Sequence, residues 1–160
     1  MRPASRNLLV TAGILAAGLV AYLLLSQPGE SDNNRILGQV EAIRAAAAAK
    51  NTPGVMREVS ETYHDRLVSN PDQLAFLLSR RILRGPDAVD VSIDATSVTI
   101  TGETATSVSH VRATHGTTVT FDGSITAQWR REPTRRLLVI PDHTWRVTSA
   151  DYPASSDLDQ

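Results

Sequence analysis

Residues 86–101 read PDAVDVSIDATSVTIT, and the character of the chain changes there. Val89, Val91 and Ile93 alternate with polar residues, and Val98 and Ile100 continue the alternation with Thr99 between them. A period of two marks a strand with one face on a core. Downstream, Thr101-Gly102-Glu103 turns the chain into a second strand at 104–114, with Val108 and Val111 as its apolar points. His115-Gly116 turns it again. Residues 117–132 form a long third strand anchored by Val119, Phe121, Ile125 and Trp129, with Asp122-Gly123 marking a bulge or bend. Residues 133–143 are a connector whose 137–140 patch pairs or packs locally. Residues 144–152 are the last strand, with Trp145, Val147 and Tyr152 on it.

Upstream of Pro86 the period is helical. Ile36, Val40, Ile43 and Ala47 share one face, and Ser31 or Asp32 can cap that helix. The alanine run at 45–49 suits close packing. Thr52-Pro53 restarts a helix, with threonine as cap and proline at the first helical position. Residues 61–66, ETYHDR, leave it and run extended. Asn70-Pro71-Asp72-Gln73 is another helix start, followed by Leu74, Leu77, Leu78 and Ile82, and Gly85-Pro86 stops that helix. Three helices followed by a meander predict an α+β domain, with the helices packed on one face of a curved antiparallel sheet. The concave space between the layers is where a pocket belongs.

Residues 8–25 read LLVTAGILAAGLVAYLLL, without a charge. As a helix they extend roughly 27 Å, close to the hydrocarbon thickness of a bilayer at about 30 Å. Arg2 and Arg6 precede them; Glu30 and Asp32 follow. The excess of positive charge before the run predicts a cytoplasmic N-terminus and an exported remainder. A cleaved signal peptide would have a shorter apolar core and small residues at the exit. Here Leu23 to Leu25 occupy the exit. The expected organisation is a cytoplasmic N-terminus and transmembrane signal anchor at 1–26, a linker at 27–34, a domain at 35–152, and a disordered acidic tail at 153–160. That places the chain in a bacterial inner membrane as a single-pass protein with a periplasmic domain.

The chain has 160 residues and a formal net charge of -1, with no run of like charge that would suit nucleic acid. It has no cysteine, which excludes disulfides, thiolate metal sites and cysteine nucleophiles. No nucleophile elbow, phosphate loop, HExxH or dinucleotide fingerprint is present. His110, His115 and His143 lack zinc-ligand spacing and are read as solvent-facing; no metal or other cofactor is expected.

The order of elements and several phrases resemble the nuclear transport factor 2-like superfamily. The first helix leads into AAAAAKNTPGVMREVSETYHD, similar to that superfamily's opening, where a short helix precedes a first strand. The chain closes on ITAQWRRE, a connector and TWRVTSADY, which looks like the superfamily's closing hairpin; the connector is longer than the tight turn usual there. The resemblance covers residues 34–152. It implies a cone-shaped domain with its cavity between helices and sheet, and a homodimer through the outer sheet face. The superfamily holds SnoaL-like and ketosteroid isomerase-like enzymes, binding modules and membrane-tethered assembly proteins, so the fold does not choose among functions.

Tyr63, His64 and Asp65 fall where the resemblance places the first short strand. In a strand Tyr63 and Asp65 share a face. They are the candidate catalytic and pocket-lining pair, with Asp65 as general base and Tyr63 as hydroxyl donor. The alternative is that Tyr63 anchors the helix layer while Asp65 pairs with Arg66 or caps a turn. Trp129 and Trp145 either line a pocket mouth or pack across strands. Asp90, Asp94 and Asp122 fall on polar phases, Asp90 and Asp94 facing out. Arg130, Arg131, Arg135 and Arg136 form the densest basic patch outside the apolar run, suited to an anionic ligand, a partner or lipid headgroups, or simply solvated. The expected role is a non-catalytic binding or envelope-assembly module with an envelope protein as partner, a filled or shallow cavity, and an apolar patch on the outer sheet face. The rival is an isomerase-like enzyme acting on a small hydrophobic molecule, which needs Asp65 buried in a closed apolar cavity.

Overall fold

A computed structural model describes residues 31–82, 87–136 and 140–153. The predicted membrane-spanning stretch, the Gly85-Pro86 stop and the acidic tail from residue 154 lie outside the described residues. Among the described residues no helix is long and apolar enough to cross a membrane.

Among the described residues three helices come first: α1 (Asp32–Ala48), α2 (Thr52–Met56) and α3 (Pro71–Leu77), the last running on into a π-helical turn, Leu78–Ile82. Ser31 caps α1, its hydroxyl accepting from Asn34 N–H at 3.3 Å, so the helix claims residues 32–34 that composition gave to the linker. Its far end is a Schellman closure. Lys50 N–H donates to the Ala47 carbonyl at 2.9 Å and Asn51 N–H to that of Ala46 at 2.8 Å, with Lys50 at φ 54°. Asn51 rather than Thr52 then caps α2, its side chain accepting from Gly54 N–H at 3.0 Å. One residue ends one helix and opens the next, which moves the expected cap back a position. A β-carbon on Gly54 would lie 2.9 Å from that of Ala46, so the tight corner needs glycine there. At α3 the expected signals act together. Asn70 accepts from Gln73 N–H at 2.9 Å, and the Gln73 side chain returns to Ser69 N–H at 2.8 Å.

The sheet is an antiparallel meander in the order β1-β2-β3-β4: β1 (Val89–Thr101), β2 (Thr104–His115), β3 (Thr118–Arg136) and β4 (Ile140–Asp151). Each pairing carries one extra residue: Ala95 in β1, Thr120 in β3 and Thr148 in β4. Bulges bend and twist a sheet, so three of them curve this one around the helices. The bulge expected at Asp122-Gly123 sits instead at Thr120, whose hydroxyl donates to the Ala113 carbonyl at 3.2 Å. Gly123 stays in register and serves a different end. A β-carbon there would come within 2.9 Å of Pro153, which lies over it.

The connector expected at 133–143 is mostly strand. Pairing continues through Pro133↔His143 and Arg135↔Pro141 to Arg136↔Ile140, leaving only 137–139 between the strands. Proline usually breaks a ladder, yet Pro133 and Pro141 both lie in this paired stretch. Here β3 has run past the end of β2, whose last partner is Arg130, so Pro133 has an open flank, and Pro141 has one because β4 is the edge strand.

The core lies between α1 and the concave face of the sheet. Ile36, Val59, Tyr63, Val68, Ala105, Trp129, Trp145 and Val147 form it, with Val40, Ile43, Leu74, Leu77 and Val98 packed around. β2 departs from expectation: Val108 is 40% exposed, while Ala105, Ser107 and Ser109 face inward. Small residues are needed there because the Trp129 indole lies beside them, donating its N–H to Ser107 Oγ at 2.8 Å.

Residues 61–66 are not the extended strand expected. Strand character is confined to Val59, which bridges Val147 in parallel, and the chain then turns. Ser60 N–H donates to the Val147 carbonyl at 2.9 Å, and His64 N–H to that of Thr148 at 3.1 Å. The segment thereby covers the outer edge of β4.

Candidate functional site

Tyr63 and Asp65 do come together, through a turn rather than a strand face. The Tyr63 hydroxyl donates to Asp65 Oδ2 at 2.6 Å. Asp65 Oδ1 accepts from Leu67 N–H at 2.7 Å and Val68 N–H at 2.9 Å. The carboxylate is thus engaged on both oxygens as the cap of a turn. Tyr63 is 4% exposed, and burial, followed by the Asp65 carboxylate, pushes its hydroxyl far above the ordinary tyrosine range. A hydroxyl so hard to ionise acts as a fixed donor. The Tyr152 hydroxyl is pushed up by burial and then by the Asp65 carboxylate, and the Arg66 guanidinium lies 5.6 Å from its ring centre.

Trp129 and Trp145, 2% and 0% exposed, are core residues. Together with Ile36 and Tyr63 they occupy the concave space where the fold offers room for a ligand. Trp145 also reaches out of the core, its indole N–H donating to Asp32 Oδ1 at 3.1 Å.

That contact belongs to a cluster that sequence reading missed. Asp32 Oδ1 lies 2.6 Å from His143 Nε2, and His143 Nδ1 lies 3.0 Å from a guanidinium nitrogen of Arg131. A guanidinium can only donate, so Nδ1 accepts and the imidazole N–H sits on Nε2, facing Asp32. Arg35 donates to Asp142 Oδ1 at 3.1 Å and to the His143 carbonyl at 2.7 Å. The His143 hydrogen bond is the main reason the Asp32 carboxyl falls below the ordinary range; the backbone N–H of His143, then Arg35, does the same for Asp142. These bonds fasten the start of α1 to the β3–β4 ribbon. Gln39 adds to the fastening, donating to Glu58 Oε2 at 2.8 Å and Thr144 Oγ1 at 3.1 Å. The expected solvent-facing His143 is therefore a structural junction, missed because its partner stands 111 positions away.

A shallow groove of about 570 Å³ opens elsewhere, between the turn after Asp65 and α3. Leu67, Val68, Gln73, Phe76 and Leu77 line it, and Phe76 is 64% exposed. The outer sheet face differs from the apolar patch expected. Among the described residues its exposed large apolar side chains are Val108 and Val119, and the latter pairs with Thr114, well along β2 from Val108. Asp90 and Asp94 are exposed; Asp122 meets His110 at 3.0 Å and Arg112 at 3.8 Å. Among the described residues no group of three or more histidines, cysteines or carboxylates is placed to hold a metal ion.

No protein-family model matches the chain, and no curated protein matches it. Solved structures do. A nuclear transport factor 2-like protein with a cystatin-like fold from Novosphingobium aromaticivorans is 17% identical, with a TM-score of 0.63 over 88% of this chain and 92% of that one. Aln2 from a Streptomyces species is 11% identical, with a TM-score of 0.65 over 82% and 96%. Bd1075 from Bdellovibrio bacteriovorus is 13% identical, with a TM-score of 0.59 over 73% of this chain; the match spans 38% of that protein's length. At these identities the likeness shows the fold: helices on a curved antiparallel sheet, in the nuclear transport factor 2-like manner.

Proposed function

We propose that the chain is a membrane-tethered, non-catalytic binding module, exported on residues 8–25 and working in assembly at the outer side of a bacterial inner membrane. The observation that carries this reading is the filled interior. Trp129, Trp145, Ile36 and Tyr63 stand where a ligand of this fold would sit, all of them 4% exposed or less. Proton abstraction from a small hydrophobic molecule needs a carboxylate free to take a proton inside a closed apolar space. Asp65 instead caps a turn with one oxygen and accepts from Tyr63 with the other. The open groove at Phe76 is a surface feature, suited to a partner's side chains rather than to enclosing a substrate.

The tether is supported by the uncharged run at 8–25, with arginines before it and acids after. With α1 capped at Ser31, five residues separate Leu25 from the domain, a reach of at most about 18 Å. Partners are therefore sought at the membrane surface. The test is cross-linking in intact membranes with a photoreactive residue at Phe76, beside a control at Val119. A discrete envelope-protein adduct at Phe76 alone supports the reading. No adduct, together with turnover of a small hydrophobic substrate that Asp65→Asn abolishes, would replace it with the enzyme.

A further inference from the structure

β1 and β4 are the edges of the sheet, and the chain treats them differently. Along β4, Val147 N–H donates to the Glu58 carbonyl at 2.9 Å, and the Val147 and Thr148 carbonyls accept from Ser60 N–H at 2.9 Å and His64 N–H at 3.1 Å. Along β1, Arg44 donates to the Val91 carbonyl at 3.2 Å. Beyond the Ala95 bulge, among the described residues, no hydrogen bond from outside the β1–β2 hairpin reaches the backbone. The ladder says which groups point outward. The Glu103 carbonyl accepts from Arg131 N–H at 2.9 Å, so Glu103 and Ala105 turn their backbone to β3, and Thr104 and Thr106 turn theirs to β1. Their partners Thr101 and Thr99 are the hydrogen-bonded positions of β1, and Val98 and Ile100 aim N–H and C=O away from the sheet.

The side chains of this corner are also left uncovered. α1 starts against β4, where Asp32 meets His143 at 2.6 Å, and reaches Val91 on β1 through Arg44. It crosses the sheet diagonally, away from 96–101. Ile100 pairs with buried Ala105 and shares its concave face, yet is 37% exposed. Residues 96–101 read TSVTIT, β-branched and without charge, proline or glycine, so nothing in them discourages pairing. Asp94 and Glu103 bracket them, both exposed. His110, opposite Asp94, turns to Asp122 at 3.0 Å, and no ion pair among the described residues includes either bracketing acid. These acids decide the occupant. Two copies of β1 paired about Val98 would bring each Asp94 to the Gly102-Glu103 turn of the other, and like charges would meet at both ends.

We infer that the open edge of β1 takes up an extended segment of a partner protein, apolar at the alternate positions beside Val98 and Ile100 and basic at each end, facing Asp94 and Glu103. Main-chain bonds to Val98 and Ile100 supply affinity, and the side chains select the segment. No residue lining the Phe76 groove lies on β1, so this is a second surface. A missing adduct at Phe76 leaves it standing, and its own failure leaves the groove reading standing.

The probe is a dye-labelled, acetylated and amidated peptide, KTTVTVTVK, titrated with the full-length chain in neutral detergent and followed by anisotropy. The expected result is saturable one-to-one binding, with slowed hydrogen exchange at the Val98 and Ile100 amides. Glutamate in place of both lysines should weaken binding on the order of tenfold. Proline at the sixth residue, beside Val98, removes a ladder N–H and should weaken it by at least about as much. The Asp94→Lys/Glu103→Lys chain should reverse the preference and bind the glutamate-flanked peptide more tightly. Equal binding of the two peptides, binding that leaves the Val98 and Ile100 amides exchanging freely, or no binding overturns the inference. Protection of those amides that grows with protein concentration in the absence of peptide also overturns it, by making the edge an interface between copies of this chain.

Discussion

Asp65 shows how one residue type serves two opposed roles. A carboxylate beside a tyrosine reads equally as a base with its donor or as a turn cap with its anchor. Which applies depends on where the neighbouring amides point. In the folded chain Leu67 and Val68 N–H point at Oδ1. Asp65→Ala should cost about 2–3 kcal/mol, by releasing two amides and leaving the buried Tyr63 hydroxyl without its acceptor; thermal unfolding measures this, and an unchanged melting temperature would argue that the carboxylate is held in reserve for chemistry. Ser107→Ala should cost about 1–3 kcal/mol for the loss of a single hydroxyl, since the Trp129 N–H is buried and has Ser107 as its partner. A residue at φ 50° gives a change in the other direction. Ala95 sits in the β1 bulge with a backbone favoured by glycine, and Ala95→Gly should stabilise by about 0.5–1 kcal/mol, the relief of strain exceeding glycine's entropic cost. The tryptophans and Tyr63 were visible as candidates in the sequence. Their packing into the core was one of the two readings the sequence offered; the serines of β2 that make room for Trp129 were not legible, because they carry no apolar signal of their own.

Among the elements, α1 is the one whose attachment responds to pH. Asp32 and Asp142 both have carboxyls held below the ordinary range, so the stability they add is complete above an unfolded value of about 3.9 and drains as pH falls through their lower folded values. Protonation breaks the Asp32–His143 and Arg35–Asp142 contacts together. Acid titration followed by amide exchange in α1 should show early release of its first turns, and Asp32→Asn should flatten that response while weakening the domain at neutral pH. Titration curves of wild type and variant that superpose would remove the junction from the account. The helices were legible because capping and period are local signals; Ser31, Asn70 and Gln73 act where they were read. The ribbon at 133–143 was not legible. Pro133 is tolerated because β2 has already ended, a fact about a strand thirty residues upstream, and Pro141 because β4 is the edge strand of the sheet.

At the scale of the molecule, alternation after Pro86 and helical period before it were enough to give three helices on an antiparallel meander, and the solved structures share that arrangement. Curvature was less accessible. It comes from Ala95, Thr120 and Thr148, none of which has a distinctive side chain. Function lies another step away, because a fold does not choose among functions. The chain has two tryptophans, and both stand in the interior. Their emission therefore reports directly on whether the space is open. Titrating the protein with small hydrophobic molecules while following indole fluorescence should leave a blue, acrylamide-resistant emission unchanged. Saturable, stoichiometric quenching by such a molecule would mean that the interior opens to ligands, and would contradict the account of a filled, non-catalytic module.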